Sequence, residues 1–170
     1  MRPVKTNLWL VLISFFLVPA VDAQDSETCP CCTEMHRQFD FWIGDWQVED
    51  TNGVSLGQNS IEVLEDGCII SEKWSGAGGS SGRSYNFYNS HDSTWNQVWI
   101  SSTGGVLELS GKGGEGIMIM KSELTVTPKG SFRNQITWSL NDDGSVTQHW
   151  ELLDTEGNVV RTVFYGIYRR

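Results

Sequence analysis

From residue 46 onward, short runs rich in Val, Ile, Thr and aromatic residues alternate with clusters of Asn, Asp, Gly and Ser. The runs fall near 46–50, 57–65, 68–75, 83–89, 95–101, 106–111, 116–124, 132–140, 145–153 and 159–168. Apolar and polar runs bounded this way read as β-strands. The punctuation has hairpin chemistry: "TNG" at 51–53, "EDG" at 65–67, "NDDG" at 141–144 and "TEG" at 155–157 place Asn, Asp or Gly where a tight turn needs them. "STGG" at 102–105 and "GKGG" at 111–114 read as glycine turns, and "GAGGSSG" at 76–82 as a longer loop. Beyond residue 40 no segment sustains a 3.6-residue apolar period. The helical candidate is about 30–39, with Pro30 early and "TEMHRQF" after it.

Short connections between neighbouring strands mean antiparallel meander order. Ten meandering strands are too many for a comfortable flat sheet, and closure removes the exposed edges. The pattern predicts an all-β fold: an up-and-down antiparallel barrel of about ten strands with one short N-terminal helix. A β-sandwich is the runner-up, but it needs longer crossing connections than this chain supplies.

The first 23 residues have the build of a secretory signal peptide. Arg2 and Lys5 precede the apolar run "LWLVLISFFLV", Pro19 breaks it, and Val21 and Ala23 stand where a signal peptidase reads small residues. The run is short for a membrane span. Cleavage after Ala23 would leave Gln24 to Arg170, exported to the periplasm or secreted, with no stable membrane insertion. The expected organisation is a leader at 1–23, a cysteine-containing segment with the helix at 24–40, and the barrel at 41–170.

Charge narrows the partners. The chain carries −9, and the leader accounts for +1 of that (Arg2 and Lys5 against Asp22), so the remainder carries −10. An acidic protein with no basic cluster is a poor binder of nucleic acid or anionic membranes. Cys29, Cys31, Cys32 and Cys68 form an even set, which in an exported protein points to disulfides. Cys68 is the one distant partner for the "CPCC" cluster, so it is expected to pair with one of Cys29, Cys31 or Cys32. A thiolate site completed by His36 is the alternative, but the spacing matches no zinc-ribbon pattern, and no metal is expected.

"FDFWIGDW" at 39–46 crowds rings and acids at the start of the first strand. Asp40 and Asp45 could be a catalytic pair. A helix-to-strand junction explains them more simply: Asp40 bonds local amides and Asp45 pairs with a terminal arginine. Gly44-Asp45-Trp46 has the Gly-x-Trp form, which resembles the calycin superfamily of lipocalins, fatty-acid-binding proteins and their relatives. That resemblance implies that Trp46 caps the closed end of the barrel and that a basic residue of the last strand packs across its ring. The ending "GIYRR" supplies Arg169 and Arg170, and cation–π attraction is the reason for such a pair. A cysteine-containing N-terminus followed by "FDFWIGDW" looks like a group of exported bacterial calycin-like proteins, distantly similar to nitrobindin-type ten-stranded barrels. The chain departs from ordinary lipocalins in its ten strands and in lacking a clear C-terminal helix.

Polar residues are woven among rings in "YNFY" at 85–88, "WNQVW" at 95–99, "RNQITW" at 133–138 and "TQHWE" at 147–151. Alternate strand residues share a face, and an amide between two tryptophans suits a lined cavity. The candidate lining is Tyr85, Phe87, Trp95, Gln97, Trp99, Gln135, Trp138, Gln148 and Trp150. The expected function is an exported small-molecule-binding barrel for an apolar or weakly polar ligand, with no cofactor. One alternative is an isomerase or hydrolase using the same cavity, with His149, Glu151 and Glu72 as its titratable groups. The other is a structural module whose core is filled with tryptophan. A nitrobindin-like barrel would place a haem ligand on a late strand, where His149 is the candidate, but nothing around it is distinctively haem-like. No Gly-x-Ser-x-Gly or His-Glu-x-x-His motif occurs, and the glycine-rich loops open no helix.

Overall fold

A computed structural model describes residues 29–128 and 130–170; the expected leader lies outside the described residues. A short helix α1 (Glu34–Arg37) and a 3₁₀ turn (Asp40–Trp42) precede eleven strands. These are β1 (Gly44–Glu49), β2 (Ser55–Leu64), β3 (Ile69–Gly76), β4 (Ser81–Asn89), β5 (Thr94–Ser101), β6 (Val106–Gly114), β7 (Ile117–Lys121), β8 (Thr125–Thr127), β9 (Gly130–Leu140), β10 (Val146–Leu153) and β11 (Val159–Arg169).

Ten of them close into an antiparallel barrel. Pairing runs from β1 to β7 in sequence order, then through β9, β10 and β11 back to β1. The seam aligns Gln47 with Arg169, Val48 with Tyr168 and Glu49 with Ile167. The additional strand, β8, lies against the start of β9 and outside the ring. Its three residues sit between the polar "KSE" and Pro128, too short a run to stand out in the sequence. β7 stops at Lys121, so the run expected at 116–124 is divided between a strand and the approach to β8.

Turn chemistry repeats along the chain. In "DTNG" the Asp50 carboxylate accepts from the amides of Asn52 (2.8 Å) and Val54 (2.9 Å). In "DTEG" Asp154 accepts from Glu156 (2.9 Å) and Asn158 (2.8 Å). Donors converging on the ionised form hold both carboxyls below the usual range, led by the Val54 amide at Asp50 and the Asn158 side chain at Asp154.

"FDFWIGDW" fills one end of the barrel. Phe39 and Trp42 are fully buried and stacked at 4.9 Å. Phe39 meets Trp138 (5.2 Å) and Trp95 (5.7 Å) edge-on, and Trp46 Nε1 donates to the Trp42 carbonyl (2.9 Å). Rings in such arrangements supply both area and specific geometry. Arg170 lies over Trp46, its Cζ 4.7 Å from the ring centroid, and donates to the Ile43 carbonyl (2.9 Å). Gly44 makes room for it. Its φ is +138°, and a Cβ there would come within 3.2 Å of the guanidinium. Arg169 takes the opposite face and binds Glu49 (2.6 Å) and Asp143 (3.0 Å).

The two acids resolve differently from expectation. Asp45 points outward and accepts from Ser60 Oγ at 2.6 Å instead of pairing with a terminal arginine, because Arg170 is committed to the ring and to Ile43. Asp40 pairs with Arg37 at 3.5 Å; this i,i+3 partner stands in for the local amides expected of it.

Cys31 bridges to Cys68, tying the N-terminal segment to the start of β3, and Cys29 bridges to Cys32. All four sulfurs are thereby occupied, which removes the thiolate site. His36 instead bonds Thr33 (2.7 Å) and meets Tyr88 edge-on at 5.1 Å.

Two outcomes follow from this end of the barrel. In urea, Trp46→Ala should cost roughly 3–5 kcal/mol, as for other buried rings, and Arg170→Ala about 1–2 kcal/mol. A double-mutant cycle should give coupling for Trp46 with Arg170 and additivity for Trp46 with Arg169. Non-reducing peptide mapping should recover the Cys31–Cys68 pair. Its selective loss should lower stability by about 3–4 kcal/mol in the chain-entropy model; a free thiol at Cys68 contradicts the pairing.

Candidate functional site

The other half of the barrel is not filled. A cavity of about 90 Å³ lies between the plug and the opposite rim. Its walls are the rings of Trp74, Trp99, Trp150 and Phe164, with Leu107 and Ile136. Its polar groups are Glu72, Gln97, Gln148 and Tyr168. The polar groups are buried, whereas the four rings are half-buried, which puts the rings toward the mouth and the polar groups on the floor. Trp74 and Phe164 meet edge-on at 5.9 Å across the mouth. Trp99 lies over Gly82, where a Cβ would collide with the ring.

The floor is one hydrogen-bonded chain. Glu72 Oε1 accepts from Asn59 Nδ2 (2.8 Å) and Oε2 from Ser84 Oγ (2.7 Å). Asn86 Nδ2 donates to Ser84 Oγ (3.0 Å) and to the Ile70 carbonyl (2.9 Å), and Gln97 Nε2 donates to Asn86 Oδ1 (2.7 Å). On the other side Asn59 Nδ2 also reaches Tyr168 Oη (3.3 Å), whose hydroxyl donates to Gln148 Oε1. Six strands contribute, because the inward positions of β2, β3, β4, β5, β10 and β11 reach the same level of the barrel.

Glu72 is the centre of this chain. It is 6% exposed and, among the described residues, has no ion-pair partner. Desolvation pushes its carboxyl above the ordinary range, against the pull of the Asn59 and Ser84 hydrogen bonds. Burial also raises the Tyr168 phenol, with the Glu72 charge adding to it.

The sequence candidates divide. Gln97, Trp99, Gln148 and Trp150 come together at the cavity. Trp95 and Trp138 face inward but lie at the plug, where Trp95 Nε1 donates to Gln38 Oε1 (3.2 Å) and Trp138 is fully buried against Phe39. Tyr85 and Phe87 stand on the outer wall, 46% and 37% exposed, because β4 turns Ser84, Asn86 and Tyr88 inward. Gln135 also faces out and donates to Glu151 (3.4 Å). The titratable trio is split as well. Glu72 is inside, whereas His149 lies on the outer wall near Glu151 (3.7 Å), against Tyr165. His149 therefore cannot ligate a group held within the barrel.

Trp74, Phe164 and Tyr168 were not among the lining candidates. Their signal was alternation itself: "EKW" puts Glu72 and Trp74 on one face, and "FYGIY" does the same for Phe164, Gly166 and Tyr168. No protein-family model and no curated protein matches this chain.

The raised Glu72 carboxyl makes a signed prediction. A group protonated more readily folded than unfolded gives its full stability below the unfolded carboxyl range and loses it as pH rises toward the folded value. Wild-type stability in urea should therefore fall relative to Glu72→Gln as pH rises above about 4.5, and Gln should be favoured at neutral pH. A difference that stays constant with pH contradicts the burial of an uncompensated acid.

Proposed function

We propose that this chain is an exported, calycin-like barrel that binds one compact small molecule, largely apolar with a single polar end. The supporting observation is the division of the interior: one half is closed by rings, and the other keeps a cavity with ring walls, a polar floor and an aromatic mouth. Sites for small ligands have this make-up, mostly apolar with a few placed polar groups. The size of the cavity limits the ligand. A dry engineered cavity of about 150 Å³ takes benzene, so about 90 Å³ encloses only a group smaller than a ring at the floor, leaves the remainder of a compact ligand among the rings of the mouth, and excludes a long acyl chain. Export is supported by the leader-like first 23 residues and by the two disulfides. The closed ten-strand ring and the Arg170–Trp46 stack support the calycin reading.

Trp74, Trp99 and Trp150 make the site self-reporting. Titration with a library of ring-sized compounds should shift or quench tryptophan fluorescence with micromolar to millimolar affinity. Gln97→Leu should weaken the hits several-fold, as expected for one lost hydrogen bond. A broad library that yields no ligand better than millimolar contradicts the proposal.

A further inference from the structure

We propose that the ligand is a small organic cation of the alkylated-ammonium class, held over Glu72 inside a cage of aromatic rings. This rests on the reading of the cavity as the ligand site and assigns the charge of the ligand's polar end. Two features of the cavity carry it.

The first is the uncompensated acid. Buried carboxylates are normally paired with a cation, because an isolated charge in a low-dielectric interior is costly. Glu72 has two neutral donors, Asn59 and Ser84, and no positive partner among the described residues. Among the described residues, the cavity lining contains no Lys, Arg or His. The flanking basic residues, Lys73 and Arg83, are exposed, as the alternation of β3 and β4 requires. Among the described residues, Tyr168 is the other titratable group facing the same space, and burial keeps its phenol neutral. A cationic ligand would supply the missing charge.

The second is the ring wall. Trp74, Trp99, Trp150, Phe164 and Tyr168 all line the space. Their faces carry negative quadrupole density and attract a cation, most strongly when it is weakly hydrated. A methylated ammonium has an apolar surface and a diffuse charge, so it satisfies the rings and the carboxylate together. An anion would face Glu72 and the ring faces with no compensating donor of positive charge. The net charge of −9 also draws cations toward the molecule.

Calorimetric and fluorescence titrations should compare choline with the neutral alcohol in which carbon replaces the ammonium nitrogen. The two probes share a shape and differ in charge. Choline should bind the wild type about tenfold or more tightly than the alcohol. Glu72→Gln should bring the two within roughly twofold of each other, since the charge-assisted part of the contact is removed. Trp99→Leu, which leaves Glu72 in place, should weaken choline more than the alcohol. Equal binding of both probes to the wild type overturns the cation assignment while leaving the cavity as a ligand site. A preference for choline that survives both substitutions also overturns it, by placing the cation elsewhere. Binding of neither probe nor any ring-sized compound removes the ligand-site reading and this inference with it.

Discussion

The seam between β1 and β11 gives this molecule an interior. Every inward side chain depends on it, since an open sheet would leave the Glu72 chain in water, where it would be an unremarkable string of polar residues. Three aligned pairs make the seam, and the contact beside it is unusual: Arg170 lies on Trp46 while holding the Ile43 carbonyl. The same guanidinium explains Gly44, whose missing side chain leaves its space to Arg170. Adjacent arginines alternate faces, so Arg169 ties the outer surface to Glu49 and Asp143 while Arg170 covers the capping ring.

Closure by itself does not create a site. The N-terminal segment does that by filling one end only. Phe39 and Trp42 enter the barrel and stop above Trp95 and Trp138, and the Cys31–Cys68 bridge fixes the segment at the foot of β3. Beyond this plug the inward residues change character. Aliphatic and aromatic packing gives way to Asn59, Glu72, Ser84, Asn86, Gln97 and Gln148, all of them buried, the first five bonded in a chain and Gln148 joined to it through Tyr168. Buried polar networks cost stability when a member lacks a partner. Here the floor is joined strand to strand apart from Asn59 Oδ1, which is buried with no hydrogen-bond partner among the described residues, and the free space lies directly against it.

Much of this was legible in the sequence because a closed meander has few degrees of freedom. Turn chemistry located the ten barrel strands, although "GKGG" at 111–114 lies inside β6 and not in a turn, and the expected export together with cysteine count predicted the Cys68 bridge, though not that Cys31 was its partner. The faces were harder. A period of two says that Tyr85 and Phe87 share a side, but not whether that side is in or out. In "YNFY" the rings Tyr85 and Phe87 read as cavity lining, yet they face out. Bonds of Asn86 with Ile70 and Gln97, and of Ser84 with Glu72, are what turn β4 the other way, and these lie between residues on different strands. Glu72 shows the same limit. Its strand is plain from "IISEKW", yet its lack of a counter-charge is a property of the whole cross-section.

The central claim is that the half-filled barrel holds a ligand between its rings and Glu72. Anomalous diffraction from crystals soaked with a bromine-labelled alkylammonium tests it most directly. The account predicts a bromine peak inside the barrel, between Trp74, Trp99 and Trp150 and on the Glu72 side of the mouth. Peaks confined to the outer wall, with the interior rings unmoved and no density among them, would contradict it.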